Sequence, residues 1–434
     1  MHYFELFSLF GRRTEKGARV KQYLRRRIPH QRLLILIVLL GLVIPWKGVP
    51  TRARANVQTV PASVTLWPVS SSGRAEFLDW GANDALVLYR DALGPKGGEL
   101  WTLNLETRAR QKLGQGVADA AFTRDGHHVV YATTDNAGRL QSLVRIDLAG
   151  GRRHQILGRG FTLLQQTSES FGGRLDLVHA LLAHNAIAVQ RHQQIFKLDV
   201  IEGSRVRLGN PQWRLGHFTG EVISPDAQQI AAFSDAAGLV IFDVGSGRPV
   251  RQLVPPLARA QQVERRWGVV STQPVTKVAW SPDSRHLTFQ LGVLDGALIS
   301  TEVPAGRSLV LKRLGLGHVV SGLTWSPNGR CLALADTVAG SQTELLQEVQ
   351  VISAGGGTAR TLDAHGSDIH WLVSHEPGQS SPVWSRDGTS LGFTRLSDAS
   401  GAAGPDSTNA WVTVPVAGFR GGACLISVPL WEHI

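Results

Sequence analysis

The chain has 434 residues, 47 of them Gly and only 18% charged, with a formal net charge of +11. That length can bury a large core, and the absence of long amphipathic helical stretches beyond residue 60 excludes most α/β enzyme folds. The positive charge invites a nucleic-acid partner, but residues 1–32 hold nine Lys/Arg against two Asp/Glu while the other 402 hold 36 against 32. The excess is a basic leader rather than a phosphate-binding groove, so no nucleic acid is expected.

In chain order, residues 1–32 read as a basic cytoplasmic leader. It runs into LLILIVLLGLVIPW (33–46), fourteen uncharged residues between Arg32 and Lys47. As a helix this run spans about 21 Å, less than the ~30 Å hydrocarbon core. Two readings are open. One is the h-region of a signal peptide, with a cleavage site at ARA (53–55). The other, which we prefer, is an uncleaved single-pass anchor whose Arg32 and Lys47 snorkel to the two surfaces. The preference rests on the long n-region and on Lys47, Arg52 and Arg54, which crowd the cleavage region. Either way the basic end stays in the cytoplasm and the rest is exported, tethered or, after cleavage near Ala55, secreted or periplasmic. Residues 47–62 form a linker with Pro50 and Pro61. SVTLWPV (63–69) is a strand placed to pair with the last repeat and close a ring.

From residue 63 onward one device recurs. WSPDSRHLTF starts at Trp280, WSPNGRCLAL at Trp325 and WSRDGTSLGF at Trp384. FTRDGHHVVY starts at Phe122, ISPDAQQIAA at Ile223 and a weaker copy, WGANDALVLY, at Trp80. Positions seven and nine after each anchor are apolar or nearly so, as in Leu287/Phe289 and Leu391/Phe393; a spacing of two puts both side chains on one face of a strand. Between anchor and strand lies a type I turn, with Pro282 presetting φ and Gly126, Gly329 and Gly388 where φ must be positive. A third apolar segment follows, such as LVIFDV (239–244), then a small-residue turn and a short fourth strand. The unit is a four-stranded antiparallel meander of roughly 40–50 residues, the period of a propeller blade. The gap between Phe122 and Ile223 holds a degenerate copy, with AIAVQ (186–190) and IFKLDV (195–200) as its second and third strands.

The Trp-Ser-Pro-Asp-Gly-like turn and the strand after it resemble the TolB-like, WD-repeat-like propeller family over about residues 60–434. The expected fold is therefore all-β: a seven-bladed β-propeller over 63–434, preceded by a single N-terminal hydrophobic helix. The resemblance implies an interaction scaffold. It does not imply a chemistry, because propellers host many activities.

Motifs of catalysis are weak. GTSLG (388–392) fits a nucleophile elbow, but that elbow needs a strand-to-helix turn in an α/β sheet, and Gly388 is the turn glycine of a repeat. His365, His370 and His375 recur at intervals of five, a spacing that suits neither one helix face nor one strand face, so a solvated loop is the better reading than a metal site. No cofactor fingerprint is found. Cys331 and Cys424 make no disulfide framework; export would permit a bridge, but strands of neighbouring blades are expected to stand too far apart for one.

Loop length is more informative. The tight turns, such as SPDS and GSGR, fall on one face of the disc. Long connections at 159–176, 209–218, 254–275, 336–346, 364–381 and 396–409 fall on the other, the usual binding face of a repeat structure. Candidate ligand-binding residues there are Trp213 with Arg214, Trp267 with Arg265 and Arg266, and Trp371 with His370, since large aromatics beside Arg are typical hot-spot residues. The competing reading is that these tryptophans fold back over the channel, whereas Trp280, Trp325 and Trp384 recur in register as packing between blades. The function expected is that of a non-enzymatic, membrane-tethered, extracytoplasmic scaffold for a protein, peptide or envelope polymer. The alternative is a lyase or hydrolase acting on a glycan or peptide at the channel mouth, which carboxylates and His within hydrogen-bond reach there would favour.

Overall fold

The computed structural model describes residues 65–67, 75–91, 98–135, 139–164, 177–182, 185–192, 194–208, 220–234, 236–259, 262, 266–267, 275–292, 296–315, 318–339, 344–368, 382–397 and 408–416. The chain divides into two units, Met1–Asn56 and Val57–Ile434. All of the first unit, and with it the expected leader and N-terminal hydrophobic helix over 33–46, lies outside the described residues. No helix among the described residues is long and apolar enough to cross a membrane.

The second unit is an all-β propeller. Its described strands form seven antiparallel sheets, six of four strands and one of five. The sheets follow the chain, with inner strands Ala75–Trp80, Asp119–Phe122, Thr162–Leu164, Gly220–Ile223, Val275–Trp280, His318–Trp325 and Val383–Trp384. The turn after each anchor explains the recurring residues. The Oγ of Ser281 accepts from the His286 amide and donates to Asp283, whose carboxylate accepts from the Arg285 amide. The same three bonds recur around Thr123/Asp125, Ser224/Asp226, Ser326/Asn328 and Ser385/Asp387. Four residues after the anchor φ is positive in every sheet: Asp84, Gly126, Asn185, Ala227, Ser284, Gly329 and Gly388 lie between 53° and 73°. Glycine fills this position in three sheets, and the rest adopt the left-handed conformation at a cost.

Of the seven blades expected, six are regular four-stranded blades, and the third, the degenerate copy of the sequence, is an irregular sheet. There the inner strand is cut in two. Leu164 pairs with Ala188 and Leu181 with Ile187, so Thr162–Leu164 and Leu181–Leu182 lie end to end along the same edge of Ala186–Arg191. The chain leaves that edge after Leu164 and returns in register at Leu181. The turn that follows has Leu181 as its anchor, with none of the Trp-Ser-Pro-Asp signature, which is why this copy reads as degenerate. Three expected loops, 336–346, 364–381 and 396–409, are also shorter than read. The sixth sheet extends through Cys331–Ala339, Glu344–Ser353 and Arg360–Asp368, because the strand alternation continues past its blade. The 396–409 connection shrinks to 398–407 for the same reason.

The anchors join the sheets. Trp280 Nε1 donates to the Val222 carbonyl of the fourth sheet at 3.1 Å and Trp325 Nε1 to Ala279 of the fifth at 3.3 Å. Trp80 Nε1 donates to Val383 of the last sheet at 3.0 Å, which closes the ring. Thr65–Trp67 pairs with Thr408–Pro415, as the position of SVTLWPV suggests, so the outer strand of the last sheet comes from the start of the propeller. Arg386 adds a clamp across the closure, donating to the Trp80 and Phe122 carbonyls and to Asp79. Gly392 is required at the same seam, because a Cβ there would run into the Phe77 ring. GTSLG thus belongs to a turn and a strand.

Cys331 is disulfide-bonded, which corrects the expectation against a bridge. The chain holds one other cysteine, Cys424, outside the described residues. Cys331 begins its strand directly after the turn and faces the seventh sheet, packed with Trp384, Phe393 and Val416.

Candidate functional site

Of the residues singled out in the sequence, Trp213, Arg214, Arg265, His370 and Trp371 lie outside the described residues. His365 sits in the outer strand of the sixth sheet, paired with Gln347; His375 is outside. Trp267, read either as a ligand-binding aromatic or as packing, is a buried core residue. It is 4% exposed and packs with Val278, Leu253 and Phe289, meeting the Phe289 ring edge-on at 6.4 Å. Arg266 covers the indole, 4.4 Å from its centroid, and reaches the Leu253 and Gly306 carbonyls and Ser308 Oγ. Blades that radiate from one axis diverge outward, and this pair fills the wedge between the fourth and fifth sheets.

A different cluster stands at the long-connection end of the seam between the fifth and sixth sheets. His318 is the first residue of the sixth inner strand. Asp336 lies on the next strand, Gln350 and Glu348 on the third, and Lys312 on the outer strand of the fifth sheet. Asp336 is fully buried. Its Oδ2 accepts from Lys312 Nζ at 2.9 Å and from His318 Nδ1 at 3.0 Å. Lys312 also donates to Gln350 Oε1 at 2.6 Å, and the Gln350 amide donates to Glu348 and, at 3.4 Å, to Thr361 Oγ1. Burial pushes the Asp336 carboxyl up. The His318 hydrogen bond and the Lys312 charge outweigh that push and hold it below the usual carboxylate range.

Asp336 Oδ1 is buried and meets no donor among the described residues. Thr288 Oγ1, Gln290 Oε1 and Ser300 Oγ share that condition. These three face the same seam, since the intervening Leu287 and Phe289 pack toward the fourth sheet. Buried polar atoms left unpaired cost about 1–3 kcal/mol each, and here they stand beside an apolar core that includes Leu298, Leu323 and Trp325. Asp336 fixes the ring of His318 through Nδ1 and leaves Nε2 available, and His318 and Lys312 are only partly buried. The arrangement can hold a donor or an anion, or orient a base. Sequence reasoning missed it because its members come from four strands. One signal was present: in CLALAD the core-facing alternation Leu332, Leu334 ends on a charge, Asp336. No group of three or more His, Cys, Asp or Glu among the described residues is arranged to hold a metal ion.

The short helix Leu177–Ala180 returns the broken third inner strand, and its Leu177 amide donates to Asp119 Oδ2 at 2.6 Å. Leu177 and Ala180 belong to the core between the second and third sheets. Val178 packs against that core and also against the cluster of Phe77, Trp80 and Val383, where the ring closes. Only a segment lying over the inner strands of the first two sheets touches both.

Turn, strand order and ring closure define a β-propeller. No protein-family model matches the chain, and no curated protein does. Among solved structures it is similar to an oligogalacturonate lyase in complex with manganese, at 16% identity and a TM-score of 0.51, covering 82% of this chain and 96% of that one. It is also similar to the putative TolB from Agrobacterium tumefaciens, at 12% identity and a TM-score of 0.37, covering 79% and 90%. A third is the Cps50 (Swd1) β-propeller domain of Myceliophteria thermophila, at 12% and 0.47, covering 81% and 98%. The lyase likeness bears on the fold alone.

Proposed function

We propose that this chain is a non-enzymatic scaffold, tethered to the membrane through residues 33–46 with its propeller outside the cytoplasm, that holds a protein, peptide or envelope polymer on its long-connection face. The observation that carries this reading is the polar cluster of Asp336, His318 and Lys312 on the face with the long connections, where a partly exposed imidazole and ammonium are held by a buried carboxylate. The Cys331 bridge supports export, since disulfides persist in oxidising compartments. The same proposal counts seven blades in the ring, the irregular third sheet standing in a blade's place. The test is in-cell cross-linking and affinity capture of the full chain, beside a His318→Ala/Lys312→Ala variant and, because that variant leaves the Asp336 carboxylate buried without its partners, a Trp267→Ala control destabilised away from the cluster. A membrane-fraction partner that the variant loses and the control keeps supports the reading, and one captured equally by parent and variant removes this face from it.

One observation favours the enzymatic alternative: a carboxylate-fixed imidazole, Asp336–His318, at the seam between two blades. On that reading a panel of glycan and peptide substrates shows turnover that His318→Ala abolishes. On the scaffold reading no turnover is found.

A further inference from the structure

The outer strands of the first five sheets, with the turn residues that lead into them, are segments 108–117, 152–157, 205–208, 248–254 and 307–314. Together they contain twelve Lys/Arg and no Asp/Glu. The 402 residues after the leader hold 36 Lys/Arg against 32 Asp/Glu; a third of those cations lie on these five rims, and the other residues are net acidic. Arg110, Arg152, Arg205, Arg207, Arg248 and Arg313 are all exposed. Some rim cations pair with neighbouring strands, as Lys112 does with Glu99 and Arg307 with Glu302. The large hydrophobic residues most exposed among those described, Val206 at 62% and Val250 at 56%, lie on the rims of adjacent sheets between these arginines.

Charge on an exposed edge strand blocks edge-to-edge pairing whichever sign it carries. That need explains charged rims but not the absence of carboxylates from five of them, nor two bare valines beside them. We infer that the rim is a binding surface for a flexible linear polyanion. A flat anionic membrane touches the outward edges of only one or two sheets, because successive sheets face outward in different directions. A flexible chain can follow the rim from sheet to sheet, releasing counterions at each arginine. Lys312 belongs both to this rim and to the Asp336 cluster, so the rim variants leave it in place.

The test uses the full chain in uncharged detergent with long-chain polyphosphate as the probe, titrated at several salt concentrations. A rim variant carries Arg152→Gln, Arg205→Gln, Arg248→Gln and Arg313→Gln. A leader variant carries Arg12→Gln, Arg13→Gln, Arg25→Gln and Arg26→Gln, and a third replaces the four rim arginines by Lys. The expected result is that the rim variant loses roughly tenfold or more in affinity and about 3 in the log–log salt slope, while the leader and Lys variants bind as the parent does. Loss confined to the leader variant would overturn the inference, as would failure of the Lys variant or no binding by the parent at low salt. Stronger binding by the parent to vesicles of equal parts phosphatidylcholine and phosphatidylglycerol than to polyphosphate would overturn it too.

Discussion

At the residue scale, two tryptophans with different sequence contexts come out alike. Trp325 recurs in register and is buried between sheets; Trp267 looked like a loop aromatic and is equally buried. Truncating either to Ala should cost about 3–5 kcal/mol, read as parallel losses in denaturant midpoint. A Trp267→Ala protein that melts like the parent would return that residue to the surface. Asp336 gives a pH prediction. Its folded carboxyl titrates below the ordinary value of 3.8, so its ionised form favours the fold. That contribution is present above the unfolded pKa and is lost as pH falls through the folded one. Asp336→Asn should therefore lower stability at neutral pH and flatten its loss below about pH 4, as followed by urea unfolding across pH. An unchanged acid limb would mean that the carboxylate is not held by Lys312 and His318.

At the scale of the element, most of the strands were legible because the turn repeats a hydrogen-bonding device in which Ser/Thr and Asp/Asn each have a fixed partner. The third inner strand was not. Its anchor is Leu181, its turn lacks the signature, and the strand is split by residues 165–180, so no single window carries its period. The register across the split is continuous. Deleting 165–180 and joining Leu164 to Leu181 should then keep the sheet and lower the melting temperature through loss of the buried Leu177 and Ala180. Loss of the β-sheet circular dichroism signal would show that the excursion is needed for folding. The candidate site was illegible for a related reason. Lys312, His318, Asp336 and Gln350 share no spacing and meet only when two blades pack, whereas the aromatic–Arg pairs that looked like hot spots were read from composition alone. One of them, Arg266–Trp267, fills a wedge between blades.

At the scale of the whole molecule, closure is the central structural fact. Trp80, Arg386 and Thr65–Trp67 all bind the first repeat to the last, and the disulfide at Cys331 anchors the sixth sheet. Cys331→Ser should cost about 2–5 kcal/mol, seen as a lower unfolding midpoint under oxidising conditions and no difference from the parent under reducing ones. Equal stability in both would remove the bridge from the account of export. The functional claim is tested most directly by site-specific photo-cross-linking in intact cells, with the photoreactive residue placed at position 318 on the long-connection face or at position 226 in a tight turn. The account predicts a discrete adduct from 318 and none from 226. Adducts from 226 alone would contradict it.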